Sequence, residues 1–287
     1  MISESILIIY LSMETLKNYL TNNNECWDGH IHLFDHSGYI DLSLIDDKYK
    51  CVCFADIVFN KLKKYKDDDV ISYYTEFINN NYDSNKHILL ATGISPENII
   101  ELYNTYPNII KGFGELKCYD SFKNGALPFG NLDWLNPILD FNITLNMPVY
   151  IHYDLNTIER RNEFESLLQK YSNMPIVLCH CGMVDNTIDN DKIYDFILLL
   201  MQKYSNLYLD ISYTASKYLL SNINRLITII NLYKNRVLCG SDINPVIKVS
   251  EFVDNPKQYS KKRYSELKKL LKLIDNTTVI KKLFGIT

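Results

Sequence analysis

The sequence predicts an α/β protein, a single-domain (β/α)8 TIM barrel with a short N-terminal extension, and three observations carry that prediction. Short apolar or β-branched runs alternate with longer helical patterns from residue 26 onward, the signature of βα units. Several runs are apolar at consecutive positions, as at 176–179, which suits parallel strands covered on both faces. The first run ends in His30-Ile31-His32 and not in the Gly-rich phosphate loop that opens a doubly wound sheet. A length of 287 residues also suits a barrel of ~250 residues with modest additions.

Eight strands are expected, at 26–33, 50–57, 87–93, 109–116, 148–153, 175–180, 207–211 and 236–241. Helices are expected between them. One covers 69–79. The next opens at Ser95-Pro96-Glu97-Asn98, a capping residue followed by proline at the first helical position and an early carboxylate. Another spans 157–171, with Ile158, Phe164, Leu167 and Leu168 at helical spacing. Segments 189–204, 216–234 and 261–274 supply the rest. Residues 26–287 read as one barrel domain without linker or repeat. Residues 1–25, apolar at 6–11, read as an extension packed on it. Glu4 sits where a secretory leader would carry Lys or Arg.

Composition narrows the function classes. Hydrophobic residues make up 47% and charged residues 22% of the chain, so a packed core is expected and disorder is not. A net charge of −4 disfavours a dedicated nucleic-acid binder, which would carry a basic face. No apolar run reaches the ~18 residues of a membrane span. The seven cysteines are odd in number and form no C-x-x-C, so reduced, buried thiols in a cytoplasmic protein are expected. A small-molecule substrate is the expected partner, and a homo-oligomer is left open.

The chemistry lies at strand ends. His30 and His32 close the first strand, Glu115 the fourth, His152 the fifth, His180 the sixth, and Asp242 follows the eighth. Residues i and i+2 of a strand project to one side, so His30 and His32 can address one ion together. A parallel barrel gathers all strand C-termini at one rim, where its active sites lie. Imidazole nitrogens with carboxylate oxygens suit zinc or a similar divalent ion. Each residue alone has an ordinary structural role, a buried hydrogen-bonded histidine or a capping aspartate. Their joint placement on separate strands carries the metal reading. His36, Lys117 and Tyr153 are the candidates for substrate contact, and Lys117 should share a side with Glu115. His87, at the start of a strand, receives no chemical role. The loops 118–131, with Gly125 and Gly130, and 243–260 are placed to shape the pocket.

This pattern resembles the amidohydrolase superfamily. The motifs that carry the resemblance are H-x-H at 30–32, MPVYIH at 147–152, IVLCHCG at 176–182, NLYLDIS at 206–212 and RVLCGSD at 236–242. They look most like the amidohydrolase-related branch, with its lactonases and decarboxylases, over residues 26–287. The resemblance implies that His30, His32 and Asp242 hold one divalent metal, zinc by preference, with His152 a further ligand in a one-metal version. In a two-metal version His152 and His180 hold the second ion and Glu115 bridges. Many binuclear relatives have a carboxylated lysine where Glu115 stands, and a glutamate there is similar to the TatD-type deoxyribonucleases. Asp242 would take the proton from water and return it to the leaving group, while His180 would polarise the scissile group. The expected activity is metal-dependent hydrolysis of a C–N or C–O bond (amide, lactone or ester) in a small polar molecule. TatD-like phosphodiester cleavage, non-oxidative decarboxylation and a non-catalytic metal-binding scaffold are the alternatives.

Overall fold

The computed structural model describes residues 26–35, 38–39, 45, 48–55, 67–93, 95–118, 132–183, 190–243 and 255–286. The expected extension at 1–25, His36, and most of the loops 118–131 and 243–260 lie outside the described residues. In chain order the elements are β1 (Cys26–Asp35), β2 (Gly38–Tyr39), β3 (Tyr49–Ala55), α1 (Asp67–Asn80), β4 (His87–Ala91), α2 (Pro96–Thr105), β5 (Ile110–Lys117), α3 (Asn136–Asn142), β6 (Val149–His152), α4 (Ile158–Lys170), β7 (Ile176–Leu178), α5 (Asn190–Lys203), β8 (Leu207–Asp210), α6 (Thr214–Ser221), α7 (Ile223–Tyr233), β9 (Val237–Leu238), α8 (Pro256–Leu271) and α9 (Asn276–Phe284).

The sheet runs β2-β1-β3-β4-β5-β6-β7-β8-β9. Every pair from β1–β3 to β8–β9 is parallel, and β2 folds back antiparallel on the end of β1. The ring closes where the chain past β9 meets β1. Gly29 N donates to Cys239 O (3.0 Å), Asp242 N to His30 O (2.9 Å) and His32 N to Ile243 O (3.0 Å). A side chain at residue 240 would sit 2.4 Å from the Cβ of His30, so glycine there lets the last strand lie against the first. This is the expected (β/α)8 barrel.

Alternation sorts the strand residues into two layers. On β3, Cys51 and Cys53 join the core between sheet and helices, whereas Val52 and Phe54 face the barrel interior. The interior also takes in Val279, Ile280 and Leu283 of α9. Asn276, which opens α9, stitches the seam: its Nδ2 donates to Trp27 O (2.7 Å) and Cys239 O (2.8 Å), and its Oδ1 accepts from Cys239 N (2.9 Å). Thus α9 plugs the end of the barrel opposite the strand C-termini.

The helix starts follow their caps. Ser95 Oγ accepts from Asn98 N (3.2 Å) and Thr157 Oγ1 from Arg160 N (3.3 Å). Three features depart from the expected pattern. The segment 216–234 is broken at Asn222, whose side chain bonds Tyr218 O (3.0 Å) and so competes with the helical ladder. Ile158 is 67% exposed, because it occupies the outward side of the first turn of α4. Helices α3 and α9 add to the expected set. Six cysteines are buried and all seven are unbonded. Among the described residues no helix is long and apolar enough to cross a membrane.

Candidate metal centre

Six side chains converge at the C-terminal mouth of the barrel. The Nε2 atoms of His30 and His32 lie 3.3 Å apart. Asp242 Oδ1 stands 3.4 Å from the first and 3.3 Å from the second. Beside this group, Glu115 Oε1 is 2.8 Å from His152 Nδ1 and 3.4 Å from His180 Nε2. Glu115 also reaches back: Oε1 is 3.9 Å from His30 Nε2 and Oε2 is 3.7 Å from His32 Nε2. Two compact donor groups of imidazoles and one carboxylate result, His30–His32–Asp242 and Glu115–His152–His180, and a third, His30–Glu115–Cys179, overlaps both.

Local backbone aims these donors. β1 presents both of its histidines on one face. His180 follows β7 in the turn 179–182 with φ 52°, and Asp242 has φ 49°. Non-glycine residues pay strain in this left-handed region and hold it where surrounding structure demands it. Here it turns one imidazole and one carboxylate into the pocket. Asp28 supports the seam from below. Its Oδ1 accepts from Ser241 N (2.8 Å) and His30 N (3.3 Å), and burial raises its carboxyl to about 6 against the lowering effect of the Ser241 bonds.

Proton positions follow from the outer partners. Asp210 Oδ2 lies 2.7 Å from His30 Nδ1 and accepts from Ser212 Oγ (2.8 Å). His180 Nδ1 lies 3.1 Å from both Ser212 O and Ser212 Oγ. With Asp210 and the Ser212 carbonyl able only to accept, Nδ1 of each ring carries the proton. Nε2 of each is then the nitrogen that faces the centre and would bind a metal there.

The charges fit a cation. Burial pushes Glu115 up, yet His152 and Lys117 beside it hold its carboxyl well below the ordinary range. Burial likewise raises Asp242, but hydrogen bonds from His30 and His32 and the nearby His180 outweigh it and hold it low. Two buried carboxylates held ionised among four imidazoles supply oxygen and nitrogen donors of the kind that suit one or two divalent ions.

The remaining expected residues part company. Lys117 Nζ sits 3.7 Å from Glu115 Oε2 at the mouth, 18% exposed. Tyr153 points the other way: it is buried against Phe164 (6.1 Å between ring centroids) and its hydroxyl donates to Glu163. His152 and Tyr153 are consecutive and so face opposite sides of the barrel wall. His87 lies at the far end, its Nδ1 accepting from Asp83 N (3.1 Å). Asp210, Ser212 and Arg263, whose Nη2 is 3.5 Å from Asp242 Oδ2, were not singled out in the sequence. Asp210 ends a strand like the expected ligands, which was the available signal. Arg263 gave none.

The structure is similar to several solved barrels. One, from Acinetobacter baumannii, is described as a probable 2-pyrone-4,6-dicarboxylic acid hydrolase with citric acid bound; it is 18% identical, with TM-score 0.56 over 92% of this chain and 100% of that chain. An amidohydrolase from Burkholderia multivorans with bound zinc is 10% identical, with TM-score 0.55 over 91% and 99%. Dihydroorotase from Campylobacter jejuni is 17% identical, with TM-score 0.51 over 90% and 83%. At these identities the likeness establishes the fold. A search of curated protein sequences returns no match. The amidohydrolase family model matches residues 119–279, more than half of the chain, and this protein therefore belongs to the amidohydrolase family.

Proposed function

We propose that the protein is a metal-dependent hydrolase that cleaves a C–N or C–O bond in a small polar substrate. The observation that carries this reading is the pair of three-residue donor groups joined through Glu115. His30, His32 and Asp242 would hold one divalent cation, and His152, His180 and Glu115 a second. When bound, such a cation makes water ionise near neutral pH and polarises a carbonyl.

The protein's own groups do the remaining work. Asp242 is held ionised and can take a proton from the attacking water and return it to the leaving group. His180, whose Nδ1 is engaged by Ser212, turns Nε2 toward the same space. The ammonium of Lys117 at the mouth offers a contact for an anionic substituent. A carboxylate-bearing lactone therefore heads the candidate substrates, in keeping with the hydrolase of a pyrone dicarboxylate that shares the fold.

The test is elemental analysis of the purified chain, then chelation, then readdition of zinc, manganese or cobalt. Each form is assayed on a panel of lactones, esters, amides, aromatic carboxylates and single-stranded DNA. One or two metals per chain and chelator-sensitive ring opening or amide cleavage are expected. Release of carbon dioxide or nicking of DNA would redirect the reading to decarboxylation or phosphodiester cleavage. Retention of full hydrolysis after complete metal removal would sink it.

A further inference from the structure

The guanidinium of Arg263 is only 3% exposed, although its helix α8 turns Lys257, Lys261, Lys262, Lys268 and Lys269 to solvent. Burying such a group is costly unless its donors and charge are met. Nε donates to Ser241 O at 2.7 Å, and Nη2 reaches Asp242 O and Asp242 Oδ2, each at 3.5 Å. Nη1 donates to Glu266 Oε2 at 3.3 Å. The Cζ atom lies 4.3 Å from the ring centroid of Tyr213, just past β8. The side chain thus grips both carbonyls flanking the left-handed bend at Asp242 and touches the outer carboxylate oxygen. The other oxygen, Oδ1, is the one that faces His30 and His32.

We propose that Arg263 is the positioning residue for Asp242. It holds the strained 241–242 backbone and the outer oxygen from behind, so that Oδ1 is presented to the cation position shared with His30 and His32. The short bond goes to the Ser241 carbonyl and not to a carboxylate, so orientation outweighs charge compensation in its role. The inference rests on the metal reading above and adds a residue that acts through Asp242.

The test uses the metal-stripped full chain titrated with cobalt(II), followed through its visible absorption bands, with thermal unfolding of the stripped protein alongside. The variants are Arg263→Met and Arg263→Lys. Removing an outer partner of a ligand typically weakens metal binding by ~10–100-fold. Arg263→Met should lie in that range with altered cobalt bands. Arg263→Lys, which keeps the charge but cannot span the Ser241 carbonyl and the carboxylate together, should fall between it and wild type. If Arg263→Met fails to fold, Arg263→Lys decides: weakened cobalt binding supports the role and wild-type binding overturns it. A folded Arg263→Met with wild-type affinity and bands, whatever its melting temperature, would show that Arg263 merely braces α8. A wild-type chain that takes up no cobalt would bring down the metal reading instead.

Discussion

Asp210 Oδ2 lies 2.7 Å from His30 Nδ1, and this contact decides which nitrogen of the ring is free to bind. It also reaches the second donor group, because the same oxygen accepts from Ser212 Oγ, which in turn meets His180 Nδ1. One carboxylate therefore orients an imidazole in each group.

Asp210→Asn tests that arrangement. An amide nitrogen in place of Oδ2 would face the Nδ1–H of His30, and in place of Oδ1 it would face the amide of Ser212, now 2.9 Å away. Either way two donors oppose each other, or His30 changes tautomer. Metal affinity should drop by ~10–100-fold while the circular dichroism spectrum is unchanged. Calorimetric titration with zinc gives the number, and unaltered affinity would contradict the tautomer assignment.

Asp242→Asn should keep the fold, since Asp242 N still bonds His30 O. Its amide cannot take a proton, and general base catalysis typically contributes ~10²–10⁴-fold. At least a hundredfold loss in kcat/KM is expected on whichever substrate the panel identifies. A variant retaining full turnover would remove Asp242 from the proton-transfer role.

Asn276→Leu should loosen the seam between the ends of the barrel. It leaves Trp27 O, Cys239 O and Cys239 N without their present partner. Stranding buried polar groups in this way should cost about 3 kcal/mol. The midpoint of urea unfolding, compared with wild type at equal slope, measures it.

His87 gives stability a pH dependence remote from the metal centre. Burial lowers its pKa, and its Nδ1 accepts from Asp83 N, so the folded state wants the ring neutral. The unfolded chain then binds the extra proton more readily. The stabilising effect is complete above the unfolded value of ~6.5 and is lost as pH falls through the lower folded value. The melting-temperature advantage of wild type over His87→Gln should shrink between pH 7.5 and pH 5. An advantage that grows on acidification would reverse the assignment.

Much of this architecture was legible in the sequence, for physical reasons. Strands buried on both faces must be apolar throughout, so all eight could be found. A barrel brings their ends together, so His30, His32, Glu115, His152, His180 and Asp242 could be grouped before any coordinates existed. What escaped depends on three-dimensional neighbours. Tyr153, expected to contact substrate, is turned away because a strand directs alternate residues to opposite sides. Arg263 sits in a lysine-rich helix whose sequence resembles a solvated face, and only packing distinguishes it from its neighbours. The break at Asn222 arose from a side chain reaching its own helix, which periodicity does not register.

The closure of β1 against the chain past β9 has a consequence for biosynthesis. His30 and His32 are made early, but the aspartate that completes their group comes 210 positions after His32, and the clamp from Asn276 later still. A growing chain leaving the ribosome can therefore offer a passing metal only an incomplete grip. A cation held by this first group would be gripped in full only after the segment past β9 has folded back against β1.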